Sequence, residues 1–327
     1  MACPGLSGIC GDWVKGMPAL SPQAVAISGA SGAIGTALIA HLQGAGYQAR
    51  RLVRCAPVAQ GAEVRWDPEV GTIDAAGLEG VTGVVHLAGQ PLAGRRWSAR
   101  YKRRLVDSRV RGTRVLCEAL ATLKPAPRVL LSASAIGYYG DRGDELLDED
   151  SDAGATFLAD LCEQWEAATA PAAAAGIRVV TMRMGIVLAV GGGILPRMLP
   201  AFRLAIGGPI GSGAQWLSWI GIDDLVAAME HLLRCSDVAG PVNMVSPQPV
   251  TNAGFTGALA KAVNRPARLR LPASLVKVAM GQMGQELLLS STRVLPSKLQ
   301  ASGFRFSCPS LESALGTEIG KLVGGHR

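Results

Sequence analysis

Short apolar runs alternate with segments of helical spacing over the first 182 residues of the chain. The runs predict strands over residues 24–28, 48–53, 63–66, 81–88, 128–134 and 177–182. The segments between them predict helices, the clearest over residues 36–46, 98–123 and 156–174. Apolar strands that alternate with helices are typical of a parallel sheet covered on both faces. With right-handed crossovers this predicts the α/β class and a doubly wound Rossmann fold.

The pattern loosens beyond residue 183, where glycines at 191–193 and 207–213 predict turns. A helix over 223–233 and a strand over 241–245 restore the alternation, and two further helical stretches follow. We therefore expect a flexible N-terminal extension over residues 1–22 and a cofactor-binding core over 23–182 that 219–245 completes. Residues 183–218 and 246–327 are expected to form a smaller α/β subdomain that binds the substrate.

Composition excludes several classes of protein. The chain has 327 residues, of which 49% are hydrophobic, so a disordered chain is excluded. Seven scattered cysteines without a CxxC pair predict reduced thiols rather than a zinc ribbon. Asp12 and Lys15 interrupt the apolar run that a signal peptide needs. Glycines break the charge-free segment 204–222, so it does not have the continuous apolar stretch of a membrane span. We expect a cytoplasmic protein with no membrane partner.

A glycine-rich loop follows the first predicted strand. Residues 29–35 read GASGAIG and lead directly into a predicted helix. Gly29 permits a tight turn, Gly32 lets the backbone approach a pyrophosphate, and Gly35 lets the helix pack on the strand. Ser31, Ala33 and Ile34 lie between them, at the helix N-terminus, where free N–H groups and the helix dipole bind phosphate. The loop predicts a bound dinucleotide, with a structural turn as the plainer alternative.

The end of the second predicted strand favours NADP(H) over NAD(H). It reads RRLVR over residues 50–54, with no acid before Glu63. NAD-binding proteins place an acid there, whereas a guanidinium suits a 2′-phosphate. Arg54 is the first candidate and Arg51 the second, with a solvated strand edge as the alternative.

A set of motifs then resembles a known family. The sequence is similar to atypical extended short-chain dehydrogenase/reductases, in the branch of NAD(P)-dependent epimerase family proteins of the YfcH type. The resemblance covers residues 25–315 and rests on GASGAIG, VVHLAG (84–89), RRW (95–97), SRVRGT (108–113), SASAIGYYGD (132–141), FLADLCEQWE (157–166), RMGIVL (183–188), GGPIGSGAQWLSWI (207–220), IDDLV (222–226) and LLLSSTRVLPSKL (287–299). It implies a Rossmann core, a C-terminal substrate subdomain and an NADP(H)-type cofactor.

The resemblance also implies functional residues. Leu87, Ala88 and Gly89 resemble the loop that lies against the cofactor ribose, where small residues allow close approach. Ser134 resembles the residue that hydrogen-bonds a substrate oxygen beside the nicotinamide, with a one-residue ambiguity of register. The full expected cofactor set is Gly29, Ser31, Gly32, Ala33, Ile34, Gly35, Arg51, Arg54, Leu87, Ala88, Gly89, Arg109, Ser132, Arg183, Met184, Gly185 and Ile186.

The chain departs from the wider superfamily at its acid/base pair. Active members use Tyr-x-x-x-Lys, in which the tyrosine transfers a proton. The corresponding helix here reads FLADLCEQWE, so neither Phe157/Leu161 nor Leu158/Cys162 supplies the pair. The predicted catalytic residues are then Ser134, Tyr138 and Tyr139, and the alternative for the two tyrosines is packing within the loop.

The remaining constellations leave alternatives open. The basic segment 95–114 is either a solvated helix face or an anion site. Nucleic acid is not expected there, since stacking aromatics and known motifs are absent. Gln215, Trp216 and Trp219 either line a substrate pocket or form an apolar plug. Four dispersed histidines predict no metal site.

The sequence thus predicts an NADP(H)-binding oxidoreductase or epimerase-like protein. It would transfer a hydride to or from a small polar metabolite. A narrower alternative is that this metabolite is anionic. The alternative is a non-catalytic NADPH-binding sensor or partner-binding protein. The substrate and the choice between monomer and homodimer stay open.

Overall fold

The computed structural model describes residues 23–57 and 61–324, so the predicted N-terminal extension lies outside the described residues. In chain order the strands are β1 (Ala24–Ser28), β2 (Gln48–Val53), β3 (Glu63–Asp67), β4 (Thr72–Ile73), β5 (Val81–His86), β6 (Val129–Ala135), β7 (Leu146–Leu147), β8 (Arg178–Met184), β9 (Ile186–Ala189), β10 (Gly192–Gly193), β11 (Trp216–Leu217), β12 (Trp219–Gly221), β13 (Gly240–Met244), β14 (Val250–Thr251) and β15 (Arg293–Val294).

The helices are α1 (Ala33–Gly44), α2 (Ala99–Thr122), α3 (Phe157–Ala167), α4 (Ala170–Ala174), α5 (Leu195–Arg203), α6 (Ile222–Arg234), α7 (Asn252–Ala262), α8 (Ala273–Met280), α9 (Gln282–Gly284), α10 (Ser297–Ala301) and α11 (Leu311–Gly324). Side-chain caps begin two of them where the sequence predicts a helix start. Ser98 Oγ accepts from the Tyr101 N–H, and Thr156 Oγ accepts from the Ala159 N–H.

The central sheet has eight strands in the order β13-β8-β6-β5-β1-β2-β3-β4. Neighbouring strands are parallel except at the edge, where β4 pairs antiparallel with β3. Helices α1 and α6 pack on one face, and α2, α3 and α4 pack on the other. The predicted α/β, doubly wound Rossmann fold is confirmed. The chain leaves β1 toward β2 on one side and returns to β5 on the other, so the topological switch point lies at the carboxyl ends of β1 and β5.

A smaller core lies beside the sheet and is built from α5, α7, α11, β9 and β12. Trp219 is fully buried at its centre, and its indole N–H donates to the Gln248 carbonyl oxygen. Of the two alternatives that the sequence leaves open for Trp219, its full burial favours the apolar plug over a substrate contact.

Candidate functional site

The glycine-rich loop connects β1 to α1 at the switch point, as the sequence predicts. Gly29 has a φ of +68°, and a Cβ there would lie 2.9 Å from the Leu87 carbonyl carbon. A Cβ on Gly35 would lie only 2.3 Å from the Gly29 carbonyl oxygen. Both positions exclude a side chain on steric grounds. Gly32 begins α1 as its N-cap, and the first N–H groups of the helix face the loop.

A cavity of about 250 Å³ opens on this loop. Besides the loop it is lined by Leu87, Met184, Val187 and the β9–β10 hairpin. A Cβ on Gly192 would lie 2.5 Å from the Ala33 Cβ, so the hairpin packs directly on the first turn of α1. The triple glycine, which the subdomain boundaries assign to the substrate side, therefore contacts the phosphate-loop helix.

The three arginines in and just beyond β2 differ in what their side chains contact. Arg50 donates to the Gly77 and Glu79 carbonyl oxygens, and Arg51 forms a 2.9 Å ion pair with Glu63. Arg54 is exposed just beyond β2 and has no hydrogen bond or ion pair with the described residues. Of the predicted 2′-phosphate ligands, Arg54 thus presents a free guanidinium and Arg51 a guanidinium that is already paired.

A buried histidine anchors the loop after β5. Ser28 Oγ accepts hydrogen bonds from the backbone N–H groups of Leu87 and Ala88 at 3.0 and 3.2 Å. Its own proton is therefore directed to His86 Nδ1 at 2.7 Å, and His86 Nε2 lies 3.0 Å from Thr113 Oγ1. Burial lowers the pKa of His86 to about 4, so the ring is neutral at physiological pH. The sequence did not single out this anchor, since the histidine stands alone in its motif.

Arg109 of α2 is buried beneath this loop without a carboxylate partner. Its guanidinium lies between Gly89, where a Cβ would be 3.3 Å from Cζ, and the Trp165 ring, whose centroid is 4.9 Å away. Nε has no acceptor, and Nη1 makes a single 3.4 Å bond to the Leu105 carbonyl oxygen. Burial lowers the pKa of Arg109 to about 10, so it keeps its charge at neutral pH.

Ser134 and Arg183 converge on one carboxylate. The Ser134 hydroxyl donates to Glu166 Oε1 at 2.6 Å, and Arg183 binds the same carboxylate with two bonds, Nε to Oε1 at 2.9 Å and Nη2 to Oε2 at 3.0 Å. Burial opposes the charge of Arg183, but hydrogen bonds and attraction from Glu166 outweigh it and raise its pKa. Arg183 therefore serves this ion pair rather than presenting a free charge to a cofactor. Sequence reasoning assigns no role to Glu166, although the residue lies in the motif FLADLCEQWE.

The two tyrosines after β6 have different environments. Tyr139 is fully buried, accepts from Arg183 Nη1 at 3.1 Å and donates to Asn243 Oδ1 at 2.7 Å. Burial raises its pKa to about 12. The Tyr139 proton is thus committed to Asn243 inside the core, which favours packing within the loop over proton donation to a substrate. Tyr138 is half-buried, and the Arg183 Cζ atom lies 3.4 Å from the centroid of the Tyr138 ring. The Tyr138 hydroxyl has no hydrogen-bond partner among the described residues.

Both alternative registers of the missing acid/base pair lie in α3. Phe157 is half-buried, whereas Leu158, Leu161 and Cys162 are buried, and the Cys162 thiol donates to the Ala135 carbonyl oxygen at 3.6 Å. Burial raises the pKa of Cys162 to about 11, so it is a neutral thiol. Arg109 is close enough to Cys162 for each to influence the pKa of the other.

The other predicted residues are placed as follows. Ser132 is buried on β6 and its hydroxyl has no partner. Gly185 and Ile186 connect β8 to β9, with N–H groups bonded to the Met244 and Ser218 carbonyl oxygens.

The predicted substrate residues contribute little free polar surface. Gln215 is buried, and its Nε2 group donates to the Ile210 and Leu288 carbonyl oxygens, so these contacts favour a structural role over a substrate contact. Trp216 is half-buried, donates to Asp144 and stacks with Arg293. Over residues 23–57 and 61–324 no group of His, Cys, Asp or Glu could hold a metal ion.

Comparison with known proteins places these features in a family context. Residues 25–245 match the family model described as NAD dependent epimerase/dehydratase family, and residues 271–318 match a domain of unknown function. An epimerase family protein of Mycobacterium bovis is 46% identical over 89% of this chain and 96% of that protein. The human epimerase family protein SDR39U1 is 34% identical over 89% of this chain and 98% of its own length.

Solved structures agree. The crystal structure of human SDR39U1 with NADPH has a TM-score of 0.83 and 33% identity, and covers 90% of this chain and 98% of that chain. MoeE5 in complex with UDP-glucuronic acid and NAD has a TM-score of 0.73 over 92% of this chain and 99% of its own. At 21% identity, that second match shows the fold alone.

Proposed function

Since the chain belongs to the NAD dependent epimerase/dehydratase family, we propose that it is an NADP(H)-binding oxidoreductase or epimerase-like enzyme that acts on a small polar metabolite. The observation that carries the proposal is the glycine-rich loop at the switch point, with a cavity built on it. The pyrophosphate would lie against residues 29–35 at the N-terminus of α1. Bound NADPH would supply the hydride, and the protein would supply orientation and electrostatics.

Arg109 supports the nicotinamide half of the cofactor in this proposal. Its unpaired Nε and its position between Gly89 and Trp165 leave a buried cation at the loop that follows β5. A buried charge without a partner is costly unless a ligand completes its hydrogen bonds. The guanidinium would reach ribose hydroxyls from α2, beside α3, where the two alternative registers would place the usual lysine at Leu161 or Cys162.

Replacing Arg54 with alanine is expected to weaken NADPH binding by about tenfold or more and to leave NADH binding unchanged. The reason is that a hydrogen bond to a charged group contributes about 1.5–3 kcal/mol, and only NADPH carries the 2′-phosphate. Titration of intrinsic fluorescence with each nucleotide measures both affinities. Arg103→Ala, an exposed arginine on α2, is the matched control. Equal wild-type affinity for NADH and NADPH, or no effect of Arg54→Ala, would refute the assignment.

A second candidate function is a non-catalytic NADPH-binding sensor. It is favoured by the absence of the acid/base pair from α3 in either register, Phe157/Leu161 or Leu158/Cys162. It is also favoured by the Ser134 and Tyr139 hydroxyls, which donate to protein acceptors. In the enzyme proposal Ser134 would orient a substrate oxygen, and the remaining free hydroxyl for proton transfer is that of Tyr138.

Hydride transfer separates the two candidates. The purified protein would be incubated with NADPH deuterated at either face of nicotinamide C4 and with a metabolite extract. An enzyme is expected to transfer deuterium from one face into a metabolite, which mass spectrometry detects, and Tyr138→Phe is expected to slow the transfer. Tight NADPH binding with deuterium in no metabolite would reject the enzyme and leave the sensor.

A further inference from the structure

Most of the large apolar side chains that the described residues expose lie on one face of the smaller subdomain. Leu204 and Ile206 follow α5 and are 71% and 56% exposed. The segment that precedes α8 contributes Leu269 and Leu271, and α8 itself contributes Leu275 and Val278. We name these six residues the aliphatic face. Exposed apolar residues scattered singly are ordinary, but a cluster marks an interaction surface.

Backbone contacts hold the segment that follows α5 beside the segment that precedes α8. The Leu271 N–H donates to the Pro209 carbonyl oxygen at 2.9 Å, and the Gly211 N–H donates to the Leu271 carbonyl oxygen at 2.8 Å. A Cβ on Gly208 would overlap the Leu269 carbonyl group, so the chains are in direct contact there. In α8, Val276 faces the protein interior while Leu275 and Val278, three residues apart, face outward.

In the two stretches of chain that carry the aliphatic face, all the charged side chains are basic. The chain has no Asp or Glu between Glu166 and Asp223, and none between Asp237 and Glu286. Within these stretches the exposed charged residues beside the face are Arg203, Arg265, Arg268, Arg270 and Lys277. The Arg265 guanidinium bonds to the Arg203 carbonyl oxygen, which places the two arginines together.

We propose that the aliphatic face docks on an anionic phospholipid surface. Leucine, isoleucine and valine side chains would enter the boundary between headgroups and acyl chains, while the arginines and Lys277 extend to lipid phosphates. A second copy of the chain fits this face poorly, because a symmetric contact would oppose two cationic borders. Nucleic acid also fits poorly, because aliphatic side chains offer no stacking surface to bases.

Docking of the aliphatic face on a membrane surface differs from the sequence-based expectation of no membrane partner. That expectation concerns a spanning segment, and no helix within residues 23–57 and 61–324 has both the length and the apolar composition that a membrane span requires. Docking at a surface needs only protruding side chains and charge, which two separate segments supply here. The inference does not depend on the proposed catalytic function.

Co-sedimentation of the full chain with vesicles tests the proposal. Vesicles of phosphatidylcholine alone would be compared with vesicles that also contain phosphatidylglycerol. We expect binding only to the mixed vesicles, weakened by salt. Leu275→Ser with Val278→Ser, and separately Arg268→Ser with Arg270→Ser, are each expected to weaken it about tenfold. Arg103→Ser with Arg104→Ser on α2 removes the same charge elsewhere and is expected to bind normally.

Retained NADPH binding in every variant verifies that the fold is intact, since none of these residues lines the cofactor cavity. Failure of the wild-type chain to bind mixed vesicles would overturn the proposal. So would equal loss in the α2 control, because the binding would then reflect overall charge. If Leu275→Ser with Val278→Ser instead lowered the mass measured by light scattering and left vesicle binding unchanged, a second copy would cover the face and the proposal would be wrong.

Discussion

Replacing Arg183 with methionine is expected to lower the free energy of unfolding by about 3–5 kcal/mol, because it removes the buried cation that pairs with the Glu166 carboxylate, whose side chain is only 15% exposed. Arg183 is 3% exposed and makes two hydrogen bonds to Glu166, and a third to Tyr139 Oη. Methionine keeps much of the side-chain volume, so the loss would reflect charge rather than a cavity. Urea denaturation followed by circular dichroism measures the change.

The surface pair between Arg142 and Glu145 is the matched control. It has the same chemistry at 2.6 Å, but the Glu145 side chain is 50% exposed. Glu145→Gln is therefore expected to change stability by no more than about 1 kcal/mol. In the buried pair, adding Glu166→Gln to Arg183→Met should recover part of the loss, because it removes the unpaired charge. A loss for Arg183→Met as small as that of the surface control would show that the buried pair does not organise the carboxyl ends of β6 and β8.

The ion pair also explains why sequence reasoning assigned the hydroxyls of this region incompletely. Tyr139 and Ser134 follow the family motif, and their types suit proton transfer. Their partners, Asn243 and Glu166, lie 104 and 32 residues away along the chain. Only the folded sheet, in which β8 pairs with both β6 and β13, brings these groups into one network. A motif reports residue types, whereas commitment of a hydroxyl depends on contacts that the motif does not contain.

Nearby residues in the sequence were sufficient to predict the phosphate loop and the starts of two helices. The strand, the glycine-rich loop and α1 are specified within about twenty consecutive residues, and the caps at Ser98 and Thr156 are specified by their own helices. The position of the β9–β10 hairpin was not, because its contact with α1 joins Gly192 to Ala33. Trp219 shows the same limit. The sequence left a substrate pocket and an apolar plug as alternatives, and only the long-range cluster that contains Phe255 and Leu188 buries the side chain. The aliphatic face likewise requires two segments more than fifty residues apart.

Replacing Gly35 with alanine is expected to abolish NADPH binding at micromolar concentration and to destabilise the fold by about 1–3 kcal/mol or more. A Cβ at this position would lie 2.3 Å from the Gly29 carbonyl oxygen and 2.8 Å from the Ala30 Cα, which are backbone atoms without freedom to rotate away. The loop must therefore move off the start of α1, and the N–H groups lose their alignment for phosphate. Nucleotide titration and thermal unfolding measure the two effects.

Gly44 provides the matched control within the same helix, because a Cβ there meets nothing within 4 Å. Gly44→Ala is expected to leave NADPH affinity unchanged and to stabilise the chain by up to about 1 kcal/mol, since alanine favours the helix over glycine. The pair of variants thus adds the same methyl group at the two ends of α1. If Gly35→Ala bound NADPH as tightly as Gly44→Ala, the close packing of α1 on the loop would not be what positions the phosphate site, and the cofactor assignment would have to rest on Arg54 and Arg109.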